Sequence, residues 1–168
     1  MAQKSSNYKT AWKALAVGRI ILGLILLWAF FDKTFGWYFA TKPTDAWING
    51  GSPTTGFLQF GVNGGSPFAD FFTSLAGQAW VDWLFMAGLL GIGLALVLGI
   101  GLRIAAVTGT VLMLLLWMAE MPSDNNPALD DHLVYAAVMI MVATGRREWS
   151  LTNWWLSLGF VKKNKWLW

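Results

Sequence analysis

Apolar residues run for membrane-length stretches in this chain, and polar positions gather between them. Residues 83–102 hold no charge, and twenty helical residues at about 1.5 Å each match a hydrocarbon core of about 30 Å. Residues 14–31 form a similar run interrupted only by Arg19, and residues 104–120 a third, closed by Glu120 and Pro122. A fourth, 127–145, opens with Asn126 as N-cap and Pro127 at the first helical position, where the missing proline N–H removes nothing. The pattern predicts an all-α fold: an integral membrane four-helix up-and-down bundle, one domain over residues 1–168. The second and third spans form a hairpin turning at Gly101.

The 32–79 segment is long for a connection inside a bundle, so it is expected to hold structure of its own. It contains Asn-Gly-Gly-Ser-Pro twice, at 49–53 and 63–67. Each copy combines a glycine turn, a serine cap and a proline, and each predicts a short interfacial helix. After the second copy, Phe68, Phe71, Phe72 and Leu75 fall at i, i+3, i+4 and i+7. They predict an apolar face that packs at the interface or lids the bundle, with Gly77 as the stop.

Charge sets the orientation. With both termini in the cytoplasm, ten of the twelve lysines and arginines lie inside and only Lys33 and Lys42 outside, as the positive-inside rule requires. The positive start before the first span resembles a signal peptide, but the run is too long and lacks an Ala-x-Ala site, so it is expected to stay attached. The amphipathic 146–168 tail mixes tryptophans with Lys162, Lys163 and Lys165 and is expected on the anionic inner leaflet. Trp28, Trp37, Trp80, Trp83 and Trp117 gather toward the outer interface and Trp12, Trp149, Trp154 and Trp155 toward the inner one, as aromatic belts do. At 56% hydrophobic and 12% charged over 168 residues, the surface must face membrane lipid of the cell membrane. The basic residues mark membrane edges rather than a nucleic-acid footprint.

Small residues recur every four positions in the second span, at Ala87, Gly91, Ala95 and Gly99, with Ala105 and Gly109 on the third. Such a stripe lets backbones approach closely in lipid. It predicts a tight contact inside the bundle, with a homo-oligomer seam and, last, a ligand groove as alternatives.

Zero cysteines exclude disulfides, thiolate metal sites, cysteine-ligated iron–sulfur clusters and covalent haem attachment. Nucleotide-binding, nucleophile-elbow and zinc-protease motifs are absent, so any redox role falls to a bound or diffusing cofactor. The topology instead brings polar helix ends to the outer side: Asp32 and Lys33, Asp82, Glu120, and then Asp130, Asp131 and His132. Asp131 and Tyr135 lie four apart on one face. These groups form a pocket roofed by the 68–75 segment, or alternatively cap helices and fix loops. Arg19 needs carbonyls, headgroups or an anion, because an arginine inside an apolar run costs roughly 2.5 to 3.5 kcal/mol at the centre of a span.

Four stretches carry a family resemblance: GRIILGLILLWAFFDKTFG at 18–36, AWINGGSPTTGF at 46–57, WVDWLFMAGLLGIG at 80–93 and NPALDDHLVYA at 126–136. Together they resemble the DoxX/DoxD family of small membrane proteins, over most of residues 14–145. The resemblance implies a four-helix membrane bundle. For the DoxD branch it implies a subunit of thiosulfate:quinone oxidoreductase, which oxidises thiosulfate to tetrathionate, passes the electrons to quinone and works with a second subunit, DoxA. On that reading a sulfur oxyanion binds near Lys33, and His132, Asp131 and Glu120 handle quinone protons. Asp32, Arg19 and Tyr135 stand as further binding candidates, and no haem or iron–sulfur cluster is expected. The alternative is a non-catalytic scaffold or anchor for a redox or oxidative-stress complex.

Overall fold

The computed structural model describes residues 2–123, 126–145 and 147–168. Arg146, counted above among the inner basic residues, lies outside them. The described residues are helical wherever they are regular: α1 Ala2–Phe35, α2 Thr55–Phe60, α3 Ala69–Ser74, α4 Ala79–Leu98, α5 Leu102–Glu120, α6 Asp131–Thr144, α7 Thr152–Ser157 and α8 Gly159–Lys163. Short 3-10 turns lie at Pro43–Asp45, Trp47–Asn49 and Lys165–Leu167. Three segments are long and apolar enough to cross a membrane: Tyr8–Phe35, Ala79–Leu98 and Leu102–Glu120.

The predicted boundaries need correction at both ends of the long helices. The first helix does not stop at residue 31 but runs to Phe35, so Asp32 and Lys33 sit on its last turn. The second begins four residues early, at Ala79, and ends at Leu98. The chain reverses through Gly99 and Gly101, both left-handed (φ 69° and 54°), before α5 starts at Leu102. The largest correction concerns the fourth. Asn126 and Pro127 do not start it; Asp130 is the N-cap, its carboxylate accepting from the backbone N–H groups of His132 and Leu133. A carboxylate that can satisfy two free N–H groups outcompetes a proline that merely tolerates the first turn. This helix has only 14 residues, about 21 Å, so it is an apolar helix shorter than the other three.

Four helices share one core. Leu22 and Leu26 of α1, Met86, Ile92 and Leu96 of α4, Met113 of α5, and Met139 and Val142 of α6 are buried together. The close contacts come in two pairs. Gly23 of α1 faces Gly93 of α4, where a Cβ built on Gly23 would lie 2.9 Å from the Gly93 carbonyl oxygen. Gly109 of α5 faces α6, where a Cβ would lie 2.2 Å from Met139 Sδ. The predicted stripe is therefore not the contact: Gly91 has open space before it, and Gly99 is the left-handed cap of α4. Small residues occur on two faces of α4, and the face bearing Gly93 is the one that α1 occupies.

At the end of the molecule where the termini lie, Arg19 is 2% exposed. Its guanidinium donates to the carbonyls of Leu96, Val97, Glu148 and Trp149. Leu98 O accepts from Leu151 N (2.8 Å) and Gly99 O from Thr152 Oγ1 (2.5 Å), while Ala95 O takes the Gly99 N–H. Every carbonyl from Ala95 to Gly99 thus has a donor, which an apolar environment requires of a helix end. Arg19 resolves as a carbonyl-bound structural arginine rather than an anion site.

Candidate functional site

The opposite, loop-bearing end is built by the two copies of the pentapeptide. In the first, Ser52 Oγ accepts from Thr55 N (3.0 Å), and Ser52 Oγ and Thr54 Oγ1 reach Asp82 Oδ1 at 2.8 and 2.5 Å. In the second, Ser66 Oγ accepts from Phe68 N (3.1 Å) and donates to Met118 O (2.7 Å), and Asn63 N donates to Ala119 O (2.9 Å). The serines fix these turns but are not the expected N-caps: α2 and α3 start three residues after them, at Thr55 and Ala69, with Thr54 and Phe68 at the N-cap positions. One copy ties the loop to the start of α4 and the other to the last carbonyls of α5. Gly77 is left-handed (φ 79°) and ends this segment as predicted.

The stripe on α4 opens onto a groove instead of a neighbouring helix. The groove has a volume of about 1010 Å³ and runs between α4 and α5, past Ala87, Gly91 and Ala95 on one side and Val107, Val111 and Leu115 on the other. Phe71, Phe72 and Leu75 line its loop end, and Trp155 and Leu167 line the far end, where Trp155 Nε1 donates to Leu167 O at 2.7 Å. In the 68–75 segment Phe72 is buried against Leu58 and Ala119, and Phe71 is exposed.

The charged and titratable groups in its wall are Lys33, Glu120 and His132. Lys33 Nζ lies 6.0 Å from the centre of the Phe85 ring and, among the described residues, forms no ion pair. It also borders a second, more polar cleft of about 530 Å³ between the 40–45 segment and Ser52, Thr55 and Gly56. Lys33 is common to both cavities. His132 is 14% exposed and its Nδ1 lies 3.0 Å from Asp130 Oδ2.

The other predicted site residues separate from this group. Asp32 is buried and its carboxylate is filled by the backbone N–H groups of Trp37 (3.2 Å), Phe39 (3.3 Å) and Ala40 (2.8 Å), so it shapes the turn after α1. Asp131, expected to share a pocket with His132, lies 3.9 Å from its Nδ1 but is 69% exposed; Asp130 makes the closer contact. Tyr135 packs against the main core and does not line the groove. Arg19 lies at the far end of the molecule. Asp130 is expected in the outer polar group but not as a site residue in its own right, and its signal is the D-x-H spacing at a helix start, which lets one carboxylate reach both a backbone N–H and the ring.

No family model matches this chain, and neither a curated protein nor a solved structure does.

Proposed function

We propose that the chain is a DoxX/DoxD-like membrane subunit of a quinone-linked oxidoreductase, crossing the cell membrane four times with both termini in the cytoplasm. The observation that carries this reading is the position of Lys33 between an apolar groove and a polar cleft. A quinone needs a long apolar channel for its tail and a hydrogen-bond donor for a carbonyl oxygen of its head. The groove supplies the first, and the Lys33 ammonium supplies the second. A small oxyanion such as thiosulfate needs a cation reachable from water, and the same ammonium borders the polar cleft. In the overall reaction two thiosulfates lose two electrons to form tetrathionate, and the quinone takes those electrons with two protons. Glu120 and His132 are the groove residues able to exchange those protons. A DoxA-like partner subunit fits the same reading.

Purified protein should carry or bind a short-chain quinone at one molecule per chain, and Ala95→Leu should abolish binding by filling the groove without unfolding the protein. Lys33→Met should weaken quinone binding and remove any protection by thiosulfate. A folded wild-type chain that binds no added quinone would end the proposal.

A second reading is favoured by the unoccupied face of Ala87, Gly91 and Ala95, which could seat a helix of a partner or of a second copy in a non-catalytic scaffold. In that case Gly91→Leu changes the assembly state, and quinone has no effect on it.

A further inference from the structure

The ends of α5 and α6 carry a donor set that quinone binding does not require. Glu120 is the last residue of α5, and Asp130 and His132 stand at the start of α6. One ligand atom from each of the three lies within 4.8 Å of the other two. Asp130 Oδ2 and His132 Nδ1 are 3.0 Å apart, the separation of two adjacent donors that each sit about 2.0–2.2 Å from one ion. Asp130 is already oriented, because its Oδ1 accepts from the N–H groups of His132 (3.1 Å) and Leu133 (3.4 Å). Hydrogen bonds of that kind aim the ligands of metal sites.

Glu120 supplies an independent observation. It is half-buried, at the edge of an apolar groove, and among the described residues its carboxylate accepts no hydrogen bond. A carboxylate partly withdrawn from water at an apolar edge, with no donor among the described residues, is stabilised by a cation. It also sits at the negative end of the α5 dipole with a second carboxylate close by, so the local potential calls for a cation. Among the described residues no lysine or arginine makes an ion pair with it. One imidazole nitrogen with two carboxylates is the donor set of a divalent transition metal, since thiolate-seeking ions lack their ligand and magnesium gains little from the imidazole.

We propose that Glu120, Asp130 and His132 bind one divalent transition-metal ion of the zinc, manganese or iron(II) class at the loop end of the groove. The ion and the protons of the quinone reaction compete for Glu120 and His132, but the site itself does not depend on the quinone reading.

The test uses the full chain in detergent, without a histidine tag, freed of quinone and stripped of metal by a chelator. Cobalt(II) and zinc are then titrated separately. One cobalt per chain should bind, with visible absorption bands that zinc abolishes. Glu120→Gln and His132→Gln should each weaken binding by more than about tenfold, since even loss of an outer-shell partner costs that much. Both variants should unfold at the wild-type temperature in the absence of metal. Asp131→Asn should bind like the wild type. A folded wild-type chain with no saturable cobalt binding overturns the proposal, and so does unchanged affinity in Glu120→Gln and His132→Gln or lost affinity in Asp131→Asn. Quinone binding is scored separately, so either proposal can fail alone.

Discussion

Arg19 and Trp149, 130 positions apart in the chain, are joined by a hydrogen bond of 2.8 Å from the guanidinium to the backbone carbonyl. The same side chain covers the exposed carbonyls at the end of α4, so one residue links α1, α4 and the segment after α6. Arg19→Ala should therefore lower the unfolding midpoint in detergent by the equivalent of at least about 3 kcal/mol, because each unsatisfied buried carbonyl costs about 1–3 kcal/mol. Arg19→Lys should recover only part of this, as one ammonium cannot fork between two strands of carbonyls. A midpoint unchanged in Arg19→Ala would show that water reaches these carbonyls.

The glycines of α4 should divide by face. Gly93→Leu meets Leu27 Cγ at 2.8 Å from its Cβ onward and should prevent α1 and α4 from packing, read as lost monodisperse protein after extraction. Gly91→Leu enters open space and should leave the stability within about 0.5 kcal/mol of wild type, the range of substitutions that remove no contact. Equal damage from both would mean that the groove is filled by another helix in the membrane.

Asp82 and Asp131 offer a matched pair of carboxylates. Asp82 holds Ser52 and Thr54, so Asp82→Ala should free the 50–57 loop and make it a site of early proteolysis. Exposed Asp131 should tolerate Asn with the wild-type digestion pattern. Identical patterns in the two variants would show that the loop is held by other contacts.

The absence of native cysteine makes topology directly measurable. Ile48→Cys, on an exposed loop position, should react with a membrane-impermeant maleimide added to intact cells, whereas Lys162→Cys should react only after lysis. The reverse result would invert the orientation and place the Lys33 cleft on the cytoplasmic side.

The sequence by itself determined the long apolar helices, the hairpin turn, the serine-bonded turns of the repeated pentapeptide and the left-handed Gly77 after its second helix. These follow from local chemistry: run length, a missing side chain at a left-handed position, a hydroxyl within reach of a backbone N–H. His132 and Glu120 at one end of the molecule were legible too, because alternating direction returns helix ends to the same level.

Which faces meet was decided only by the tertiary structure. Both Gly91 and Gly93 allow close approach, and periodicity alone does not say which one a neighbour will use; α1 took Gly93 and left the other side as a groove. Likewise, Asp32 and Lys33 are adjacent in sequence and point to different fates, because a helix turns successive side chains by about 100°. Asp32 meets the amides of its own turn, and Lys33 meets the groove. Arg19 needed carbonyls, headgroups or an anion, and its partners are backbone carbonyls on segments far along the chain. Carbonyls carry no identity in a sequence, so only the fold could show that four of them converge on one arginine.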